Sequence, residues 1–447
     1  MTESPVVIRR SRVSQEETSR EFQFSPQLEG ADSYFEQYRA EAWKNYQGMP
    51  FPTVKQEAWR RTDVSKMPVQ SFRLEKGNTL STVPGALLEP VADALHGGEI
   101  LLAGEHHQLH LESELEEKGV VFTDLQNALV AHPQLVEKVL GKVIGSSDDK
   151  FGALAGAMSQ NGVLLYVPRG VQVASPLHSL LWVAGQREAA FSHILVYLDD
   201  GSSVTYVHES SSPESETEPG FHSGLIEIHV GDGAHLRFVE LQSFGENIWN
   251  FMHERVRVEG NGEVEWIFGA FGSKLTKNFS ELDLAGTGST GKMSGFYFSQ
   301  HEQHLDYDTQ QNHLAPHTTS DLLFKGALLD QSHSVWQGMI YVAKNAAKTD
   351  GYQANRNLVL SEGARADSIP GLEILTDDVR CTHGATVGKV DAEQLFYLES
   401  RGLSKEDAEM MIVEGFFDPI MQRIPFEGVK KRFQLAINQK MKQVVKS

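Results

Sequence analysis

From Asn161 onward the chain alternates apolar and polar residues in short runs, and helical periodicity is scarce for over two hundred residues. Ile226, Ile228 and Val230 fall on one face of a strand; so do Val256 and Val258, and Val264, Trp266 and Phe268. Turn residues punctuate the runs at Asp199-Asp200-Gly201, Gly231-Asp232-Gly233, Gly260-Asn261-Gly262 and Gly286-Thr287-Gly288, and again at Ser361-Glu362-Gly363. The first four turns start 32, 29 and 26 residues apart, and the interval after them is long enough for more than one unit. A period in this range predicts a stacked solenoid, whose coils bury their inner faces only against their neighbours. A sandwich or barrel stays open on pattern alone, although its turns come roughly every 8–12 residues. Gln353, Asn355 and Asn357 also share a face, as an amide ladder inside a coil or an exposed polar face would.

Helical patterning brackets this region. Ala31–Gln47 carries Tyr34, Phe35, Tyr38, Trp43 and Tyr46 near one helical face. Phe122–Ile144 spaces Leu125, Leu129, Leu135, Val139 and Leu140 for burial, with a break expected at Pro133. A short strand is expected over Ile100–Leu102 between them. The Ser/Pro/Glu-rich stretch Glu209–Gly220 reads as a solvated acidic loop between coils. After Val390 the helical period returns. Asp391 followed by Gln394 predicts a helix start and Gly402 its stop; Ser404 and Asp407 predict a second start leading to Ala408, Met411 and Ile412. The last segment sets Val429, Phe433, Ile437, Met441 and Val444 along one stripe among lysines. Such a helix docks a partner or a membrane surface, or packs on its own protein.

Composition narrows the function classes. Sixty acidic against 40 basic residues give a net charge of −20 over 447 residues, which speaks against a nucleic-acid or anionic-membrane partner. Uninterrupted apolar runs reach only five residues, as at 163–167, whereas a membrane span needs about 20. The polar N-terminus lacks an apolar leader, so a cytoplasmic location and a frayed arm are expected. The single cysteine, Cys381, permits no internal disulfide.

The motifs offer little enzymatic chemistry, and no catalytic residue is assigned. Gly286-Thr-Gly-Ser-Thr-Gly291-Lys292 imitates a phosphate-binding loop, but Met293–Phe298 behind it alternates like a strand, so no nucleotide site is expected. His301 and His304 are one residue short of the zincin spacing; they and His313, His317, His106, His107 and His110 stay unassigned. Cys381-Thr-His383 is more informative. On a strand its thiol and imidazole point the same way, and both are ligands for iron or zinc. Two ligands do not complete a site, so the pair is core packing, half of a site that a second chain completes, or a Cys-His hydrolase pair, whose Gly-rich nucleophile contexts Cys381 does not match.

The block Leu372–Gly388 with Asp391–Gly402, together with Lys348–Leu358, Asn312–Thr318 and Pro52–Arg60, resembles the SufB/SufD family of iron–sulfur cluster assembly proteins. The SufD-type side is the closer likeness. SufB-type chains carry a Cys-Gly-Ala-His run where this one reads Ala364-Arg365-Ala366-Asp367.

The resemblance implies a mainly β fold, a right-handed parallel β-helix (solenoid) flanked by N-terminal and C-terminal helical regions. Its expected divisions are a disordered polar arm at 1–30, a helical and mixed region at 31–155, the β-helix core at 156–390 and an ATPase-docking helical domain at 391–447. It implies a scaffold role in the SUF system, not an enzyme, with a SufB-type scaffold and a SufC-type ATPase as partners; whether the chain in isolation is a homodimer stays open. His383, and less strongly Cys381, would take part in a transient iron–sulfur cluster or iron shared with the partner, none being stably held by this chain alone. Asn355, Asn357, Asp377 and Asp378 are the expected partner-interface residues; Phe396, Tyr397, Arg401, Phe416 and Phe417 are the expected ATPase-docking ones. The alternatives are a homodimeric β-helix interaction protein without metal chemistry and a β-helix carbohydrate-active enzyme.

Overall fold

A computed structural model describes residues 20–28, 33–74, 79–89, 96–104, 106–159, 161–184, 186–214, 218–424 and 427–444. Most of the predicted 1–30 arm lies outside these residues. Residues 20–28 lie against the body instead of fraying, because Phe22 is buried with its ring 4.8 Å from that of Phe221.

Successive strands alternate between two ten-stranded sheets and make a parallel β-solenoid of about eight turns. Within each sheet the register is continuous; Ile248–Val258, for example, pairs with Gly220–Val230 on one side and Leu275–Leu284 on the other. The predicted same-face sets fill the space between the sheets: Ile226, Ile228, Val230, Val256, Val258, Val264 and Trp266 are all at most 2% exposed. Rings also stack from coil to coil, with Tyr206, Phe238 and Trp266 at centroid spacings of 5.6 and 5.9 Å.

The turns stack too. Gly201 N–H donates to the Asp232 carbonyl, Gly233 to Gly260 and Asn261 to Thr287 at 2.8–2.9 Å, and each residue takes a left-handed φ (65°, 62° and 52°). The column continues through His317 and Lys348, which accept the same conformation without being glycine (φ 60° and 63°). That substitution is why the turn signal fades after Gly288. Thr290–Ser299 is a strand, so Gly286–Lys292 is a turn and not a phosphate loop.

Both outer faces are covered, by different parts of the chain. The N-terminal region lays Trp59, Phe72 and Phe151 on Phe221, Phe251 and Leu275 of one sheet. Helices Lys405–Met421 and Glu427–Val444 lay Val413, Phe417, Ile420, Phe433 and Ile437 on Val239, Ile267, Phe296 and Phe298 of the other. The last helix therefore packs on its own protein through Val429, Phe433, Ile437 and Met441; the side chain of Val444 lies outside the described residues.

Several local expectations hold. Helix Tyr34–Gly48, capped by Ser33, stands where Ala31–Gln47 is expected, Pro133 separates Leu125–Ala131 from the next helix, and Ser404 caps Lys405–Met421. Each such cap contributes about 1 kcal/mol over alanine. Gly402 ends Ala392–Ser400 with a φ of 94°. Two readings need correction. Glu209 belongs to the strand Ser203–Ser211 and is buried against His178 and Arg432, so the acidic loop starts later. Met411 is exposed, and Val413 holds the buried position.

Candidate functional site

At the start of the solenoid each sheet closes on an antiparallel strand, His106–Leu111 in one and Val121–Asp124 in the other. At the far end the sheets finish on Arg365–Ile374 and Val379–Lys389, each paired with a strand on one side only among the described residues. An unpaired parallel edge offers a row of amide and carbonyl groups to another chain. The same end exposes Leu372 (36%), Ile374 (38%), Leu375 (43%) and Val387 (50%), a cluster of apolar side chains that solvent alone disfavours.

Cys381 and His383 sit on this last strand, opposite Gly351 and Gln353 of Thr349–Val359. Their i, i+2 spacing puts them on one face. Cys381 is a free thiol, partly buried against Ile340, Val342 and Ala346, while His383 is exposed. Gly351 makes room here: a β-carbon on it would lie 3.2 Å from Cys381 Sγ and 3.3 Å from His313 Nε2. His313 stays uncharged because burial pushes its pKa down to about 4, and it hydrogen-bonds Thr318 and Ser320 at 2.7 and 2.8 Å. Burial raises the Cys381 thiol above its ordinary value, opposed by the Gly351 N–H and helped by Asp350. Metal binding to this thiol would displace its proton. One thiol and one imidazole leave coordination positions for groups from elsewhere.

The other predicted residues separate. Asn355 and Asn357 point into the solenoid, 0% and 3% exposed; Asn357 Nδ2 donates to Asn355 Oδ1 at 2.6 Å, and Asn357 Oδ1 accepts from Tyr297 OH at 2.6 Å. They form the interior amide ladder and are not surface contacts, because inward-facing amides need partners within the coil. Asp377 and Asp378 are exposed beside the last strand, and Asp378 pairs with Lys348 at 2.7 Å. Phe396 (72%) and Tyr397 (56%) are exposed, with Arg401 over the Tyr397 ring at 5.1 Å. Phe417 is fully buried against Phe296 and Phe298, a core residue that no docking partner reaches. Phe416 is half-buried beneath Lys325.

The unassigned histidines do not converge. His301 occupies an exposed turn beside Glu246, His304 meets Thr62, His313 is interior and His317 lies in the turn column. Three other polar clusters escaped the sequence reading. Lys277 bridges Asp306 and Asp308 under the N-terminal cover; Glu240 faces Glu254 inside the solenoid; His96, Glu99 and His178 meet on an outer face. The only local signal was parity. Glu254 shares the inward face of Met252 and Val256, and Lys277 shares the covered face of Leu275 and Phe279.

Two family descriptions match the chain: the "SUF system FeS cluster assembly, SufBD core domain" over residues 181–416 and the "SufBD protein N-terminal region" over 27–178. Iron–sulfur cluster assembly SufBD family proteins of Staphylococcus epidermidis, S. saprophyticus and S. haemolyticus are each 33% identical to it over 318 residues. That alignment covers 71% of this chain and 68% of each relative.

Proposed function

The chain belongs to the SufBD family of iron–sulfur cluster assembly proteins, and from that premise we propose that it is the SufD-type, non-catalytic scaffold subunit of a cytoplasmic SUF complex. Its open terminal coil pairs with the matching edge of a SufB-type chain, and a second copy covers the same edge when the chain is alone. His383, with Cys381 beside it, supplies part of the ligand set for iron or a nascent cluster, which is cargo and not a resident cofactor. A SufC-type ATPase docks on the C-terminal helices, where Phe396, Tyr397 and Arg401 stand exposed.

The observation that carries this reading is the coincidence at one end of the solenoid. Unpaired strand edges, exposed apolar side chains and an incomplete thiol–imidazole pair all occur on the last coil. A related solenoid abutting that coil would satisfy all three at once. Coexpression with SufB-type and SufC-type partners tests it. His383→Ala is expected to leave the complex intact on gel filtration while bound iron and labile sulfide fall severalfold. Unchanged iron and sulfide on an intact complex would remove His383 from the cluster site.

A further inference from the structure

The first coil, at the opposite end from Cys381 and His383, carries a second convergence of ligand side chains. Gly98–Ala103 runs parallel to Leu177–Trp182, and the register sets Glu99 directly beside His178. His96 precedes the first of these strands and brings its ring to 4.8 Å from that of His178, with Nδ1 2.5 Å from Glu99 Oε1. One ligand atom from each of the three residues lies within 4.8 Å of the other two. The imidazoles are 3% and 5% exposed, whereas the Glu99 side chain is 45% exposed, so the cluster has one wet side through which an ion can enter. Behind it the buried Glu209 carboxylate holds His178 Nε2 at 2.9 Å and is itself paired with Arg432 of the last helix. Such an outer carboxylate fixes ring orientation and tautomer.

We propose that His96, His178 and Glu99 form a binding site for a first-row transition-metal dication of the Zn²⁺ or Fe²⁺ type. The physical reason is the geometry: two buried imidazoles in ring contact and one half-exposed carboxylate bring a ligand atom each to one point, with a second carboxylate orienting the inner ring. A single dication between them satisfies both rings as uncharged ligands and offsets the carboxylates together. Glu99 and Glu209 against Arg432 leave a surplus negative charge to be met. Nitrogen ligands select against Mg²⁺ and Ca²⁺, which take oxygen shells. Through Glu209 and Arg432 the bound ion would also tie the first coil to the C-terminal helix.

The full-length chain, stripped with chelator, would be titrated with Co²⁺ and Zn²⁺, with Mg²⁺ as the counter-probe. One Co²⁺ per chain is expected, with visible d–d absorption that Zn²⁺ displaces and Mg²⁺ does not. The band should vanish in His96→Ala and His178→Ala at unchanged circular dichroism, and Glu99→Gln should weaken binding at least about tenfold. Absence of Co²⁺ and Zn²⁺ binding, or a band that survives in both histidine variants, overturns the site. If the buried-histidine variants do not fold, the half-exposed Glu99→Gln decides alone, and unchanged affinity there overturns it.

Discussion

Replacing Lys277 by methionine probes whether the N-terminal cover is latched to the solenoid by charge. The ammonium is fully buried and donates to Asp306 at 2.9 Å and Asp308 at 2.8 Å, whose side chains are 1% and 18% exposed. Thr62 of the cover donates to the same Asp306 carboxylate, and the Trp59 ring lies 5.8 Å from the ammonium. Methionine keeps the stem and removes the charge, stranding two carboxylates. Breaking a buried pair in this way costs about 3–5 kcal/mol, far more than the pair's net contribution over an apolar replacement. Burial already pushes Asp308 up to about 6, with Lys277 opposing that rise, so the variant's Asp308 goes higher still. A carboxyl with a raised folded pKa contributes stability that is present below its unfolded value and lost as pH climbs to the folded one. The deficit of Lys277→Met should therefore be largest near pH 8 and shrink as pH falls toward 5. Urea unfolding followed by tryptophan fluorescence and circular dichroism at the two pH values reads both quantities. Adding Asp306→Asn and Asp308→Asn should recover most of the loss. A deficit under about 1 kcal/mol, the scale of an exposed pair, or one that ignores pH would refute the latch.

Two further outcomes follow from the same logic. Burial and the neighbouring Glu254 push Glu240 well above the usual carboxylate range, which favours a proton there in the folded chain over the unfolded one. Wild-type stability should then fall by up to about 1.4 kcal/mol per pH unit above the unfolded value, and Glu240→Gln should gain on it between pH 5 and 8 in denaturant titrations. Parallel curves would exclude a protonated Glu240. Phe433 is 1% exposed with its ring 4.2 Å from Phe296, so Phe433→Ala should cost up to about 3–5 kcal/mol. Hydrogen exchange should show Glu427–Val444 losing protection before the solenoid does, and equal protection throughout would argue against this anchoring.

The solenoid was legible because its inward faces obey a two-residue period that needs no knowledge of neighbours. Ile226, Ile228 and Val230 had to share a face once extended, and the left-handed turns announced themselves while glycine occupied them. Caps such as Ser404 and stops such as Gly402 were legible for the same reason, being decided within one helical turn. The strand Cys381–His383 and its shared face were equally local. What the chain could not reveal was which residues about 30 positions away would lie alongside. Helical covers on both outer faces turned Phe417 from a docking residue into core and drew Glu209 out of a loop into a buried pair with Arg432. The Lys277, Glu240 and His96 clusters exist only because register stacks separate coils, and register is settled by the summed burial of every rung rather than by any single one.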